Sequence, residues 1–512
     1  MLENIMAGFQ EFFSISSFIY MNLGLFLGIV FGSIPGLTVM LCLVLFLPMT
    51  YTLGAIDSFM FLLGIYCAGS YGGSISAILI KTPGTPHAAA TMLDGHPLSK
   101  KGFTKKALNI ALKASTYGGI FSALVLLFLA PQVAKVAMKM GSPEYFLICT
   151  FGLTIIAGVS GKSLVKGIIA GCLGLFVSFI GMDAMSGNTM RFCFNNVYLY
   201  GGFDLVIVLI GLFALVEIIN RGKYKKDDSM LSKSNDAVEA LKYLDDGKFT
   251  KEERKRMRMP KFISSLIGVI VGIIPGTGAA MASFLSYDVA RKMSKHPEEF
   301  GKGSIEGVAA AESANNAVTG ATLIPLLTLG IPGDGAVAIM LGALMINGLT
   351  PGPNLFADHG TTVYAIMIGL IFVNLFMYIQ GKYLTNLFAK VVKIPTEILT
   401  PIIVVFCFAG AYSIKDSLFD VGISIVFAII AYLMSKLDFP TIPILLGLVL
   451  GGLTEKNFRR TLMISDGSLS VFFTRPFSIV FILLIIAVVA MIVKTNIKNA
   501  KAAKLEEAKV EV

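Results

Sequence analysis

Residues 1–80 contain no lysine or arginine, and a cleaved signal peptide needs a basic n-region. The first apolar run is therefore expected to remain as a membrane helix. Only 14% of the 512 residues are charged, against roughly 25% in an ordinary soluble domain. Histidine is limited to His87, His96, His296 and His359, dispersed and without HExxH spacing or cysteine partners, which argues against an intramembrane metalloenzyme. Cys42, Cys67, Cys149, Cys172, Cys193 and Cys407 form no CxxC pair, so free thiols are expected and no structural metal. Gly158-Val-Ser-Gly161-Lys162-Ser163 has two residues between its glycines where a phosphate loop needs four. ATP-driven transport has no support, and without a GxSxG-like elbow neither does a serine nucleophile. The chain is not expected to be an enzyme.

What is abundant is apolar surface. Hydrophobic residues make up 55% of the chain and the mean hydropathy is +0.78. Apolar runs recur from 15–34 to 476–493, several long enough for helices that cross a bilayer, and about 11 to 13 membrane segments are expected. The net charge of +10 would suggest nucleic acid in a soluble protein, but Lys and Arg lie in short clusters between apolar runs. That is a topology signal, so the expected partner is the lipid bilayer and no nucleic acid. Lys100, Lys101, Lys105 and Lys106, then Lys162 and Lys166, then Arg291, Lys292, Lys295 and Lys302, and the tail from Lys494, mark the cytoplasmic side. The N-terminus then lies outside and the C-terminus inside. The stretch 221–261, with 13 Lys+Arg and 8 Asp+Glu, is read as a cytoplasmic linker, most simply a solvated hinge. One feature fits this topology poorly: Lys456, Arg459, Arg460 and Arg475, in an expected 454–475 loop, fall outside.

The chain repeats itself. Gly28-Ile-Val-Phe-Gly32-Ser-Ile-Pro35-Gly36 returns as Gly268-Val-Ile-Val-Gly272-Ile-Ile-Pro275-Gly276, an offset of 240 residues. GxxxG alone is a common packing face, but GxxxGxxPG at the start of both halves is far more specific. Pro35, Gly36, Pro275 and Gly276 are the expected hinges. Each half then reaches a Pro-Gly break, Thr82-Pro83-Gly84-Thr85-Pro86 and Ile331-Pro332-Gly333-Asp334-Gly335. Flanking charges are opposite: Pro48 to Asp57 has no Lys or Arg while Arg291 to Lys302 has four, and the four lysines of 100–106 face none from 303 to 381. The expected fold is an all-α polytopic membrane protein of two inverted-topology repeats with broken helices or re-entrant hairpins. The expected division is 1–220 for the first repeat, 221–261 for the linker, 262–455 for the second repeat, 456–493 for an added span and 494–512 for a Lys-rich cytoplasmic tail.

Such repeats are the architecture of secondary transporters, with the site near the midplane. A broken helix is tolerated in lipid only where protein or a wet cavity surrounds it, and its freed amides can hold an anion. Breaks at Pro83-Gly84 and Pro332-Gly333 would present amides to a small organic carboxylate, with Ser74, Ser76, Thr82 and Thr85 adding hydrogen bonds. Lys81 and Asp334 flank the breaks as further substrate-site candidates. Lys81 needs an anionic partner, since a lysine at bilayer centre costs on the order of 3 kcal/mol, or else it snorkels to the surface. Glu312, Asn315, Asn316 and Thr319 share a helical face; with Ser70 and Gly73 they are candidates for the coupling cation, Na⁺ or H⁺, and capping or interhelical hydrogen bonding is their other reading. No other cofactor is expected. A passive organic-anion channel is the alternative, though it calls for rings of basic residues and only Lys81 fits.

At these residues the sequence resembles the large membrane subunit of the tripartite tricarboxylate transporters, over roughly residues 20 to 455. The resemblance rests on Gly69-Ser-Tyr-Gly-Gly-Ser-Ile-Ser-Ala77, Pro83-Gly-Thr-Pro86 through Leu93-Asp-Gly-His-Pro97, Phe300-Gly-Lys-Gly-Ser-Ile-Glu-Gly-Val308 with Ala311-Glu-Ser-Ala-Asn-Asn316, and Leu329-Gly-Ile-Pro-Gly333. It implies ion-coupled uptake of carboxylates such as citrate across the bacterial inner membrane. It also implies two partners, a small membrane subunit and an extracytoplasmic solute-binding protein. Lys81 and Asp334 depart from the family pattern, where a neutral polar and a small residue are common, and they are expected to compensate one another as a charge pair or through a lysine that binds substrate.

Overall fold

Close helix contacts follow the glycines. In the computed structural model, which describes residues 2–159, 163–183, 185–221, 246–391 and 396–510, helix α1 (Ile15–Ser33) lies on α3 (Ala55–Ile80) along Gly24, Gly28, Gly32, Gly64 and Gly72. A Cβ on Gly28 would sit 2.6 Å from the Ile65 carbonyl oxygen, and one on Gly72 would sit 2.7 Å from that of Ile29. Small residues let backbones approach closely where lipid supplies no hydrophobic drive between helices. The second half repeats the device with alanine in place of part of the glycine. Helix α7 (Arg258–Ile273) sets Gly268 and Gly272 against Ala314, Ala317 and Ala321 of α9 (Ile305–Ala321).

The remaining helices that position the site are α2 (Val39–Phe46), α4 (Ala89–Lys100), α5 (Thr104–Ala137), α6 (Lys251–Arg256), α8 (Gly278–Met293), α10 (Leu323–Leu329) and α11 (Gly335–Ile346). Both GxxxGxxPG motifs end their helix the same way. Ile34 and Ile274 are extended, and Gly36 and Gly276 follow at φ 85° and 83°. The apolar stretch that holds the second motif is thus two helices, α7 and α8, divided at Pro275-Gly276, and α9 is likewise divided from α10 at Thr322.

The protein is all-α and multi-pass; among the described residues the β structure is one short pairing, Gly181–Met182 with Met190–Arg191. Among the described residues six helices are long and apolar enough to cross a membrane: α1, α3, α5, Gly360–Tyr383, Leu418–Lys436 and Pro476–Lys494. Shorter apolar helices include Val39–Thr52, Leu164–Ser178, Leu205–Asn220, Gly335–Ile346 and Ile398–Ser413. By contacts the chain forms two compact units, residues 1–135 with 213–417, and 136–212 with 418–512.

In the first unit α3 and α9 are the buried helices: every residue of α3 from Ser58 on and all of α9 are buried. The charged linker is not simply a solvated hinge where it is described. Residues 222–245 lie outside the described residues, but Thr250 and Glu253 form a reciprocal capping box at the start of α6, a device that satisfies two orphan N–H groups. Glu253 takes the Lys106 ammonium at 2.7 Å, Asn109 donates to the Gly247 carbonyl, and Lys113 sits 4.4 Å from the Phe249 ring centroid. Arg256 donates to Glu299 at 2.6 Å and to Glu306 at 2.9 Å. Two of the charges that predicted solvation, Glu253 and Arg256, instead find partners.

In the second unit the expected 454–475 loop is mostly helix, since Ile442–Ile464 runs through residue 464. Arg459 bonds both oxygens of Asp183 and also Glu455 one turn earlier, while Arg191 bonds Asp183 and Glu455. This network pairs basic residues that a topology count treats as free, and Arg475 is held by Glu144 at 2.5 Å.

Candidate functional site

Helix α3 stops because Lys81 turns left-handed, at φ 56° and ψ 31°. The chain then folds back along the last turns of α3, with the Gly84 N–H donating to the Gly73 carbonyl at 3.2 Å. Only glycine fits here: a Cβ on Gly73 would run into the Thr85 hydroxyl, and one on Gly84 into the Gly32 carbonyl of α1. The break, the serine-rich run and the first GxxxGxxPG motif are therefore one structure. Ser70, Ser74 and Ser76 donate to carbonyls of their own helix, those of Tyr66, Tyr71 and Gly73, and Thr82 to that of Ile80. Their oxygens keep lone pairs but their protons are engaged. Thr85 is buried and its hydroxyl has no partner.

The second break has the same order. Gly330 closes α10 in the left-handed region at φ 74°, and Ile331, Pro332 and Gly333 lead to Asp334 at the cap of α11. Here the Gly333 carbonyl accepts the N–H of Gly276, the hinge glycine of the second motif, at 2.7 Å. Counting from the left-handed residue, Lys81 stands where the second break has Gly330, and Thr85 stands where it has Asp334.

Asp334 does not pair with Lys81. One carboxylate oxygen accepts the Val337 N–H at 2.8 Å and the other accepts the Tyr66 hydroxyl at 2.7 Å. A helix N-terminus favours an anionic cap, so a helix amide and a phenol supply what the lysine was expected to supply. Lys81 is exposed and makes no ion pair among the described residues. The expected charge compensation between them is corrected.

On α9, Glu312 is fully buried and accepts hydroxyls from both sides, Thr91 of α4 at 2.5 Å and Ser115 of α5 at 2.6 Å. Asn315 donates to the Ser70 carbonyl at 3.1 Å, joining α9 to the serine run. Its side-chain oxygen has no partner, and neither does either polar atom of the Asn316 side chain, although both residues are fully buried. Thr319 donates to the Asn316 carbonyl and accepts from Cys67. Buried polar atoms without partners are uncommon and costly in a folded protein. Oxygens of Glu312, Asn315, Asn316 and Thr319 are the type of ligand a hard cation takes.

Thr91, Ser115, Tyr66 and His87 were not among the sequence candidates. His87 is half-buried, with its Nδ1 enclosed and unpartnered among the described residues. The Leu93–Pro97 motif works as a clasp. Asp94 accepts the N–H groups of Gly303 and Ser304 at 2.8 and 2.9 Å, while His96 Nδ1 lies 3.0 Å from the Ile78 carbonyl. So α4 is fastened to α3 at one side and to the entrance of α9 at the other. The exposed His296, Glu298 and Glu299 lie close together, but Arg256 already holds Glu299.

The profile of the tripartite tricarboxylate transporter TctA family matches residues 18–446. The chain belongs to this family. As a TctA-family protein it is the permease component of a tricarboxylate transporter, a multi-pass membrane protein. It is similar to an uncharacterized 52.8 kDa protein of the TAR-I ttuC' 3' region of Agrobacterium vitis, 36% identical over 476 residues and 93% of each chain. A second uncharacterized protein, from the TAR-II ttuC' 3' region of the same organism, is 43% identical over 209 residues, 41% of this chain and 86% of its own length. No solved structure matches significantly. The TctA match includes both breaks, the α4 clasp and the whole of α9.

Proposed function

We propose that this TctA-family permease imports a small organic carboxylate, citrate or a related tricarboxylate, by cation-coupled alternating access. An extracytoplasmic solute-binding protein delivers the substrate and a small membrane subunit completes the complex in the bacterial inner membrane. The observation that carries the reading is a set of buried polar atoms without partners among the described residues, on Thr85 and His87 at the first break and on Asn315 and Asn316 of α9. Donors and acceptors held out of water without partners suit a site that a ligand completes.

The division of labour follows from the chemistry. Amides of the Pro83-Gly84 and Pro332-Gly333 breaks, with the Thr85 hydroxyl, meet substrate carboxylates, and Ser74 and Ser76 join them on releasing the carbonyls of Tyr71 and Gly73. Glu312, with Asn315, Asn316, Thr319 and Ser70, meets Na⁺ or H⁺. The two halves act as inverted repeats, hinged at Pro35-Gly36 and Pro275-Gly276, and the side holding the substrate changes as they move. A passive anion channel finds less support, because the polar groups described around the breaks are hydroxyls, amides, a carboxylate and the His87 imidazole, and Lys81 is the one lysine or arginine among them.

Uptake of radiolabelled citrate into liposomes holding the permease, small subunit and binding protein tests the proposal. Accumulation only under an inward Na⁺ or proton gradient, and only with the binding protein, supports it. Citrate flux that persists without any gradient would establish the channel instead. No flux under either gradient would remove citrate as the substrate and direct the test to other carboxylates.

A further inference from the structure

A second cavity lies away from the breaks, beside the charged start of α7. It has a volume of about 350 Å³ and is bounded by α6, α7, the end of α8 and Glu306, within the range of roughly 300–1,000 Å³ common for small-molecule sites. Its two kinds of wall differ in chemistry. Met259, Ile263, Val289 and Met293 give an apolar wall, of which Met259 and Met293 are exposed. Lys255 and Lys295 stand at the polar wall, and neither has a carboxylate within ion-pair distance among the described residues.

The same wall carries an anion. Glu306 is only 5% exposed; one oxygen is bonded by Arg256 Nε and the other has no donor. A buried carboxylate oxygen left without a donor is unfavourable by more than a neutral group would be. Two free ammonium groups and an undersatisfied carboxylate, next to apolar side chains, ask for a ligand that bears both charges and a hydrocarbon part.

We propose that this cavity is a binding site for an aminophospholipid such as phosphatidylethanolamine, with its phosphate on Lys255 and Lys295, its primary ammonium on Glu306, and its acyl chains along Met259, Ile263 and Met293. Its position supports a lipid source. Helix α7 passes from Arg258 and Lys261 into an apolar run, and α8 ends in Arg291 and Lys292, so both helices meet the cavity where basic residues give way to apolar ones, as at a membrane surface. A purely anionic lipid would bring no donor to Glu306 and would face Glu252 as well. A choline headgroup has no N–H to donate.

The test uses the full chain, delipidated in detergent, with lipid retention read by native mass spectrometry. Phosphatidylethanolamine, phosphatidylcholine and phosphatidylglycerol of identical acyl chains are offered at equal concentration. The expected result is retention of phosphatidylethanolamine about tenfold above the other two, the value of one charged hydrogen bond, loss of that preference in Glu306→Gln, which keeps an acceptor for Arg256 but no charge for the ammonium, and weaker retention of all three lipids in the Lys255→Ala/Lys295→Ala double variant. Both lysines are exposed and without ion pairs, so the variant should fold; thermal unfolding in the same detergent verifies this. Equal retention of the three lipids, preference for phosphatidylglycerol, an unchanged preference in Glu306→Gln, or undiminished retention in the lysine double variant overturns the proposal. Soluble glycerophosphoethanolamine that displaces the lipid at equal concentration would overturn the membrane source of the ligand. None of these readouts depends on transport.

Discussion

The Tyr66 hydroxyl donates to the Asp334 carboxylate across 2.7 Å, so the buried helix of the first half holds the cap of the second break. The bond spans 268 positions of sequence. Removing the hydroxyl with Tyr66→Phe leaves one carboxylate oxygen without its donor, at a cost of about 1–3 kcal/mol. Asp334→Asn keeps an acceptor for the Val337 N–H and is expected to be milder than Asp334→Ala, which loses the cap as well. Thermal unfolding in detergent should rank the variants wild type, Asp334→Asn, Asp334→Ala; a Tyr66→Phe protein as stable as wild type would show that the bond contributes nothing.

Among the described residues Glu312 has two hydroxyl donors and no ion pair, which suits a carboxylate that a transported ion neutralises. Glu312→Gln retains an acceptor for Thr91 or Ser115 and should fold close to normally, yet lose gradient-driven uptake by about tenfold or more, with little response to added Na⁺. Thr91→Ala and Ser115→Ala should each give a smaller loss, because one hydroxyl remains. Uptake by Glu312→Gln that still rises with the Na⁺ gradient as in wild type would move the coupling ion elsewhere.

How far the sequence foretold this site depends on the range of each signal. Proline and glycine act locally, so the breaks at Pro83-Gly84 and Pro332-Gly333 and the turns at Gly36 and Gly276 were readable from their own few residues. Glu312, Asn315 and Asn316 were grouped by helical spacing alone, and they do share α9. Their partners were not readable. Thr91 and Ser115 stand 221 and 197 positions from Glu312, and no local pattern marks a threonine that meets a distant carboxylate. The Lys81–Asp334 pair failed for a related reason: opposite charge was visible in sequence, but Tyr66 and the α11 amides were nearer. The helix through residue 464 was hidden because Arg459 looks unpaired until Asp183 folds against it.

Lys81 holds a left-handed conformation that costs a non-glycine residue about 1 kcal/mol, and the matching position in the second half is Gly330. Lys81→Gly is therefore expected to raise the midpoint of thermal unfolding slightly, while the exchange Lys81→Asp with Asp334→Lys should fail to restore uptake lost in either single variant. Recovery of uptake in the exchanged protein would restore direct pairing in the working cycle.

The glycine contacts differ in kind and should differ in tolerance. A Cβ on Gly28 meets backbone on α3, at 2.6 Å from the Ile65 oxygen and 2.9 Å from the Gly69 nitrogen, whereas the nearest atom to one on Gly272 is the Ala321 Cβ at 2.7 Å. Backbone cannot move without shifting a helix. Gly28→Ala should therefore lower stability by more than Gly272→Ala, and pairing the latter with Ala321→Gly should recover part of the loss. Equal effects of the two single variants in thermal unfolding would argue that α1 and α3 are free to separate.

Asp183, between helices Leu164–Ser178 and Leu205–Leu209, gives a pH dependence with a definite sign. The Met185 N–H, then Arg459 and Arg191, hold its carboxyl well below the usual carboxylate range. A group whose folded pKa is depressed contributes stability that is present above its unfolded value, near 3.9 for aspartate, and is lost as pH falls toward the folded value. The short pairing at 181–191 should therefore be protected from amide exchange at pH 7, corrected for intrinsic exchange rates, and lose protection progressively below about pH 4. Asp183→Asn should show the weakened protection already at pH 7 and little further change on acidification. If wild type and Asp183→Asn fall together across the same range, carboxylates other than Asp183 govern the acid response of this segment.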